Sequence, residues 1–226
     1  MTILYYAHQL VNMLIGSLGL RVERKYPRMP DAPTVPDFLL ADCRVLSGRE
    51  QLLELLPRGG IAAEIGVADG SFSEAILSIN QPKRLYLVDA WATARYRAAL
   101  DHVKVRFSRE IEAGTIVIER GMSLDAMQKI PNGSLDWVYI DTNHDFFTTR
   151  KELSIAERIV KSNGLIAGHD FCNGNPYKAL PYGVIPAVCD FCVERNWAMA
   201  YLALSPNGHF SFCLRKSDRS AADGSG

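Results

Sequence analysis

The sequence predicts an α/β protein: a doubly wound, mostly parallel sheet of seven strands with a C-terminal antiparallel hairpin and an N-terminal helical extension. Three observations carry that expectation. Between residues 61 and 167, short apolar runs alternate with longer amphipathic ones, the pattern of strands joined by crossover helices. The first run, IAAEIGVADGS at 61–71, ends in small residues at alternate positions, Gly66, Ala68 and Gly70, as a sharp strand-to-helix turn requires. Near the end, two apolar runs are separated only by Pro206-Asn207-Gly208, and strands joined by so short a turn must be antiparallel.

Taken in order, residues 3–20 carry Ile3, Ala7, Leu10, Leu14, Ile15 and Leu18 at helical spacing and read as an amphipathic helix. Tyr5, Tyr6, His8, Gln9 and Asn12 interrupt it, which argues against stable membrane insertion and for packing on the domain or on a second copy, a homo-oligomer contact. Prolines at 27, 30, 33 and 36 make an extended connector, so residues 1–36 form an appendage to a domain at 37–216. Leucines at 39, 40, 52, 53, 55 and 56 suggest one or two helices over 38–56, stopped by Arg58-Gly59-Gly60. Strands are then expected at 61–65, 84–88, 115–119, 135–140 and 165–167, with helices at 72–79, 94–111, 123–130 and 147–160. Asn163-Gly164 should close the last of these helices, and Ser71 with Glu74 forms an S-x-x-E capping box at the first. Pro186 opens a further helix reaching Asn196, and the hairpin strands are 198–204 and 209–214. Residues 217–226 are small, polar and glycine-rich, the composition of a disordered tail.

At 226 residues and 48% hydrophobic content, the chain can bury the core of one ordinary domain. Its 25 basic and 25 acidic residues cancel, so nothing global favours nucleic acid or an anionic membrane; a small or neutral partner is expected. The five cysteines are scattered among apolar residues, unlike a disulfide framework, and point to a reducing cytoplasm. Cys189 and Cys192 form a C-x-x-C inside a helical stretch with no second pair, which is a weak zinc or redox signal.

The turn at 66–70 decides what class of ligand to expect. A dinucleotide cradle needs G-x-G-x-x-G, whereas here Glu64 lies two positions before the first glycine. A carboxylate there repels a phosphate and attracts a cation. Asp89 closes the next strand in LYLVDAW, where an acidic residue can accept hydrogen bonds from both hydroxyls of a ribose. Trp91 either contacts the base or ribose of such a ligand or closes a core. In ERGMSLDA, Gly121, Met122 and Ser123 would border the base, although Met122 would look the same as core filler. Two later strands end in WVYIDTNHDF and LIAGHDF, which puts Asp141, His144, His169 and Asp170 on the ligand side of the sheet, while Asp145 suits a helix cap. The segment 172–183, CNGNPYKALPYG, follows directly and reads as an acceptor lid, with Asn173 able to supply a further oxygen ligand and Tyr177 and Tyr182 able to stack on a sugar ring or an aromatic acceptor.

The turn resembles the first motif of class I S-adenosylmethionine-dependent methyltransferases, E-x-G-x-G-x-G, with Ala68 in place of the middle glycine. That family has a Rossmann-like sheet ending in an antiparallel hairpin, and the resemblance spans roughly residues 61–216. It implies S-adenosylmethionine held by Glu64, Gly66, Ala68, Gly70, Ser71, Asp89, Trp91, Met122, Ser123 and Asp141. The D-x-x-H of Asp141 and His144, with the later His169-Asp170, is similar to metal-dependent sugar O-methyltransferases of the macrocin and mycinose type. This implies transfer to a hydroxyl of a small acceptor, a sugar of a natural product or glycan, with His144 as base and Asp141 and Asp170 as its catalytic partners. It also implies a divalent metal, magnesium first, on Asp141, Asp170 and His169. His169 replaces an acid of the family pattern, and a histidine shifts such a site towards transition metals. A catechol-like small-molecule methyltransferase and a cofactor-binding scaffold without turnover stay open, whereas a nicotinamide dehydrogenase would need phosphate-cradling glycines that this turn lacks.

Overall fold

A computed structural model of the chain describes residues 29–175 and 180–219. The expected helix over 3–20, Tyr177 and most of the tail at 217–226 lie outside the described residues. After a 3₁₀ turn (Asp37–Leu39) the elements run β1 (Arg44–Leu46), α1 (Arg49–Leu55), β2 (Ile61–Ile65), α2 (Ser71–Asn80), β3 (Arg84–Asp89), α3 (Ala94–Arg106), α4 (Ser108–Glu112) and β4 (Ile116–Arg120). They continue with α5 (Ser123–Ala126), β5 (Leu135–Ile140), α6 (Phe146–Ile159), β6 (Val160–Gly168), β7 (Gly174–Asn175), β8 (Leu180–Pro181), α7 (Val184–Arg195), β9 (Trp197–Ala203) and β10 (Ser211–Lys216). Eight strands form one sheet in the order β1-β9-β10-β6-β5-β2-β3-β4, while β7 and β8 pair as a separate antiparallel ribbon.

The sheet has eight strands, not the expected seven. The additional one, β1, comes from a stretch read as helical, and it pairs in parallel with β9 at the sheet edge. The hairpin of β9 and β10 is antiparallel as expected, and β10 is inserted between β9 and β6, antiparallel to both. Three local expectations are corrected. The helix expected over 94–111 breaks at Phe107, whose ring is buried and meets Gly70 closely enough that a Cβ there would lie 2.8 Å from it. The helix before β6 ends at Ile159, and Asn163-Gly164 falls inside an irregular start of β6 instead of closing the helix. Ser71 does not cap α2: the N-cap is Gly70 in the left-handed region, Asp69 Oδ1 accepts from the Ser71 N–H at 3.0 Å, and Glu74 pairs with Arg106.

Alternation along the strands divides the interior into two cores, one on each sheet face. Ala63, Ile65, Val138, Ile140 and Ile166 face α5, α6 and α7. Ala62, Leu85, Leu87, Trp137, Tyr139 and Ala167 face α1, α2 and α3. Strand order reverses between β2 and β5, which run parallel side by side, so their carboxyl ends open a crevice at the topological switch point. Register then fixes what lines it. Ile65 pairs with both Val88 and Ile140, which brings Gly66 level with Asp89 and Asp141. Ile140 pairs with Gly168 and Gly168 with Phe212, which brings His169 and Asp170 beside the amino end of β10.

Candidate active site

The turn after β2 is locked from three sides. Asp141 N–H donates to Ile65 O at 2.7 Å, and Gly66 N–H donates to Val88 O at 2.8 Å. Gly66 has φ +94°, and a Cβ on it would lie 1.8 Å from the Asp141 carbonyl oxygen, so only glycine fits between β2 and β5. Asp89 supplies the third hold: its Oδ2 accepts from the Val67 and Ala68 N–H groups at 2.9 Å each, and its Oδ1 from Trp91 N–H at 2.8 Å. Ala68 itself sits at φ +50°, a left-handed position that the middle glycine of the motif would occupy without strain.

An open cavity of about 620 Å³ lies over this turn. Gly66, Ala68, Asp89, Met122, Ser123, Asp141 and His144 line it, as do Asp125, Thr142, Asn143 and Tyr96, which sequence reasoning did not single out. Three carboxylates and, among the described residues, no Lys or Arg side chain face it. That wall disfavours a phosphate-bearing dinucleotide and suits a ligand carrying positive charge. The residues present therefore fit S-adenosylmethionine, whose sulfonium and amino groups are cationic. Four residues assigned to the cofactor do not line the cavity. Gly70 and Ser71 form the helix start behind it. Trp91 is fully buried and donates its Nε1–H to Ala68 O at 2.9 Å, so it buttresses the turn as a core residue. Glu64 is 1% exposed and accepts from Ser73 Oγ at 2.5 Å.

Burial pushes the Glu64 carboxyl up to about 8. Its folded pKa thus exceeds the ordinary value of 4.5, so its contribution to stability is complete below that value and is lost as pH rises through about 8. Between about pH 5 and 9 the denaturation midpoint should fall, and Glu64→Gln, which keeps an acceptor for Ser73, should flatten that slope. A wild-type midpoint that does not fall over this range would remove the neutral Glu64. Asp89→Ala should lower stability by about 1.5–3 kcal/mol, since three backbone donors lose a charged acceptor, and should weaken S-adenosylhomocysteine binding as the turn loosens. Chemical denaturation and calorimetric titration check the two effects separately.

Beyond Asp141 the sheet edge holds a titratable cluster. Asp141 is nearly buried, and burial, with Asp170 nearby, pushes its carboxyl up to about 7. His144 Nε2 lies 3.1 Å from Asp170 Oδ2, and its ring packs on Tyr182 with centroids 4.5 Å apart. Burial holds the His144 pKa below its ordinary value, so the imidazole is neutral at neutral pH. His144 and Asp170 both have positive φ, +63° and +56°, the kind of conformation that gathers at functional sites. Asp145, as expected, caps α6 by accepting from Thr148 N–H at 3.0 Å. Glu152 is fully buried behind the wall, where Thr142 Oγ1 donates to its carboxylate at 2.9 Å. Burial pushes Glu152 up to about 7, and Ser123 also bonds it, so one side chain ties two cavity-lining residues together.

His169 does not join this cluster. Its Nδ1 pairs with Ser211 Oγ at 2.9 Å, Ser211 in turn pairs with Tyr139 OH, and burial pushes its pKa down to about 4. The second histidine that reaches Asp170 is His209, whose Nδ1 pairs with Asp170 Oδ1. Each Asp170 oxygen thus faces an imidazole. Ligand atoms of Asp141, His144 and Asp170 lie within 4.8 Å of one another, but magnesium asks for an octahedron of oxygens, and a two-carboxylate set with imidazole on both sides of one acid is a poor match for it. Tyr182 is 8% exposed against His144, a wall of the site more than a free stacking surface. Cys189 and Cys192 are buried on α7, and no helix among the described residues is long and apolar enough to cross a membrane.

Residues 63–171 match the family model described as a methyltransferase domain. None of the curated proteins compared matches the chain in sequence. Among solved structures the fold is similar to a SAM-dependent methyltransferase from Aquifex aeolicus, 12% identical, with a TM-score of 0.55 over 76% of this chain and 91% of that one. It is also similar to a precorrin-6y C5,15-methyltransferase from Geobacter metallireducens, 14% identical, TM-score 0.56, over 75% of this chain and 86% of that one. An O-methyltransferase family protein from Burkholderia thailandensis is 13% identical, TM-score 0.56, over 76% of this chain and 56% of that one. At these identities the likeness establishes the fold alone. The chain thus has a Rossmann-like α/β fold, and its residues 63–171, a little under half of it, match a methyltransferase domain.

Proposed function

We propose that the chain is an S-adenosylmethionine-dependent O-methyltransferase that methylates a hydroxyl of a small acceptor, with His144 as general base and Asp170 as the residue that positions it. The observation that carries this reading is the 3.1 Å contact of His144 Nε2 with Asp170 Oδ2 at the wall of the cofactor-sized cavity. When bound, the cofactor supplies an electrophilic methyl group on a sulfonium sulfur, so in-line attack by the acceptor oxygen forms the C–O bond, breaks the S–C bond and leaves a neutral thioether. Around that reaction the protein has two tasks: to align the oxygen and to remove its proton. With the Nε2–H donating to Asp170, the His144 Nδ1 is left unprotonated and takes the hydroxyl proton. The imidazolium so formed is stabilised by the Asp170 carboxylate beside it. Asp89 sets the turn for the ribose end, Asp125 and Ser123 offer polar atoms to the adenine end, and the carboxylate of Asp141 balances the cationic end.

A sugar of a natural product or glycan is the acceptor the D-x-x-H resemblance favours. A catechol-like aromatic acceptor is favoured instead by the exposed side chains of Met122 at the cavity and Phe147 beside the lining Thr148. The test is a panel of sugars and catechols incubated with methyl-labelled cofactor and read by mass spectrometry. Methyl ethers on sugars support the leading reading, and ethers on catechols move the acceptor to the second. Products methylated at nitrogen or carbon remove the O-transfer. Cofactor binding with no product across the panel favours a scaffold without turnover.

A further inference from the structure

We propose that Asp170, Cys172 and His209 form a site for a borderline divalent metal ion of the zinc or cobalt class, on the opposite side of Asp170 from His144. One ligand atom from each of the three lies within 4.8 Å of the others. Cys172 Sγ is 3.6 Å from His209 Nδ1. With metal–sulfur and metal–nitrogen bonds of about 2.3 and 2.0–2.1 Å, two ligands of a tetrahedral ion stand about 3.6 Å apart, so this pair already has the spacing of a tetrahedral edge. The mixed oxygen, sulfur and nitrogen donors select a borderline or soft ion and disfavour magnesium. Three protein donors leave a fourth position for water or a ligand oxygen, as in open zinc sites.

The arrangement is built into the sheet. Asp170 and Cys172 follow β6, and His209 precedes β10; the antiparallel register of Phe212 with Gly168 and the bond from Phe171 N–H to Phe210 O, 2.9 Å, hold the two segments together. The side chains of Asp170 and His209 are only 9% and 16% exposed, so both are desolvated before any ion arrives. Asp170 then serves both sides at once, Oδ1 towards the metal site and Oδ2 towards His144. An ion on Oδ1 would also fasten the start of the 172–183 segment to the sheet. The alternative is purely structural: His209 simply bonds Asp170, and the Cys172 thiol contacts Gly174 O at 3.8 Å.

The experiment is titration of chelator-treated protein with cobalt(II) alone, followed by absorption spectroscopy, which needs neither cofactor nor acceptor and so fails or succeeds independently of the proposed reaction. The expected result is one equivalent bound with a thiolate-to-cobalt charge-transfer band and the intense visible bands of a tetrahedral ion. Zinc should displace it. Cys172→Ser should abolish the charge-transfer band and weaken binding by about tenfold or more, His209→Gln should also weaken it, and Cys43→Ser should leave the spectrum unchanged. Wild-type protein without the charge-transfer band, or a band that survives in Cys172→Ser, overturns the proposal.

Discussion

Replacing His144 with alanine should lower the rate of methyl transfer by about 10²–10⁴-fold, while the affinity for S-adenosylhomocysteine should change little. His144 Nε2 is held on Asp170 Oδ2, and its ring packs on Tyr182, so the proposed base is oriented before an acceptor arrives. Burial keeps its pKa below the ordinary histidine value, so in the wild type the rate should rise with pH through a pKa on the acid side of the usual one and be flat at neutrality. His144→Ala should lose that acid limb together with the rate. Asp170→Asn should lose part of the rate and shift the limb further to the acid side, because the imidazolium then lacks its counter-charge. Single-turnover rates across pH, with calorimetric titration of each variant, separate these effects. Full activity in His144→Ala would dismiss the residue as base and leave deprotonation to Asp141 or to solvent.

What the sequence disclosed follows from how local each feature is. Strands β2 to β5 are legible because each is a continuous apolar run bounded by turn residues, and both sheet faces need such runs. The short edge strand β1 is not, because Arg44 and Val45 are exposed, only Leu46 is buried, and the partner β9 comes some 150 residues later in the chain. Nothing in a run of leucines announces that pairing. Asp141, His144 and Asp170 could be placed together because strand ends in a parallel sheet share one edge. His209 is not legible in the same way, because its place depends on an antiparallel strand, whose amino end lies on the edge where the parallel strands have their carboxyl ends. The hairpin was predicted, so the signal was present: had β10 been set beside β6, the residue just before it would have been brought to the site. His169 shows the converse. It is adjacent to Asp170 in sequence, yet β6 ends at Gly168 and Asp170 turns away with a left-handed φ of +56°, and His169 bonds Ser211 instead.

Gly66→Ala should be the most damaging single change in the cofactor half of the site. A methyl group there would stand 1.8 Å from the Asp141 carbonyl oxygen and 2.6 Å from its carbon, and these are backbone atoms with no rotamer to yield. The φ of +94° adds a backbone penalty of about 1–2 kcal/mol for any side chain. Relief requires β2 and β5 to part at their carboxyl ends. That strains the bonds from Asp141 N–H to Ile65 O and from Gly66 N–H to Val88 O, and it also displaces the Val67 and Ala68 donors from Asp89. A loss of stability of about 3 kcal/mol or more is expected, with S-adenosylhomocysteine affinity reduced by at least about 100-fold where the fold survives. Ala68→Gly makes the informative contrast. It relieves a left-handed alanine at φ +50°, offsetting the extra entropy of the unfolded glycine, so stability should stay within about 1 kcal/mol and cofactor binding should persist. If both substitutions were equally harmless, β2 and β5 would not be as close as the register places them. If both were equally damaging, the turn would depend on side-chain contacts at 68 and not on the close backbone approach at 66. Only the asymmetric outcome ties cofactor binding to the contact between Gly66 and the Asp141 carbonyl, the point at which the cofactor turn and the proposed acceptor end share a backbone contact.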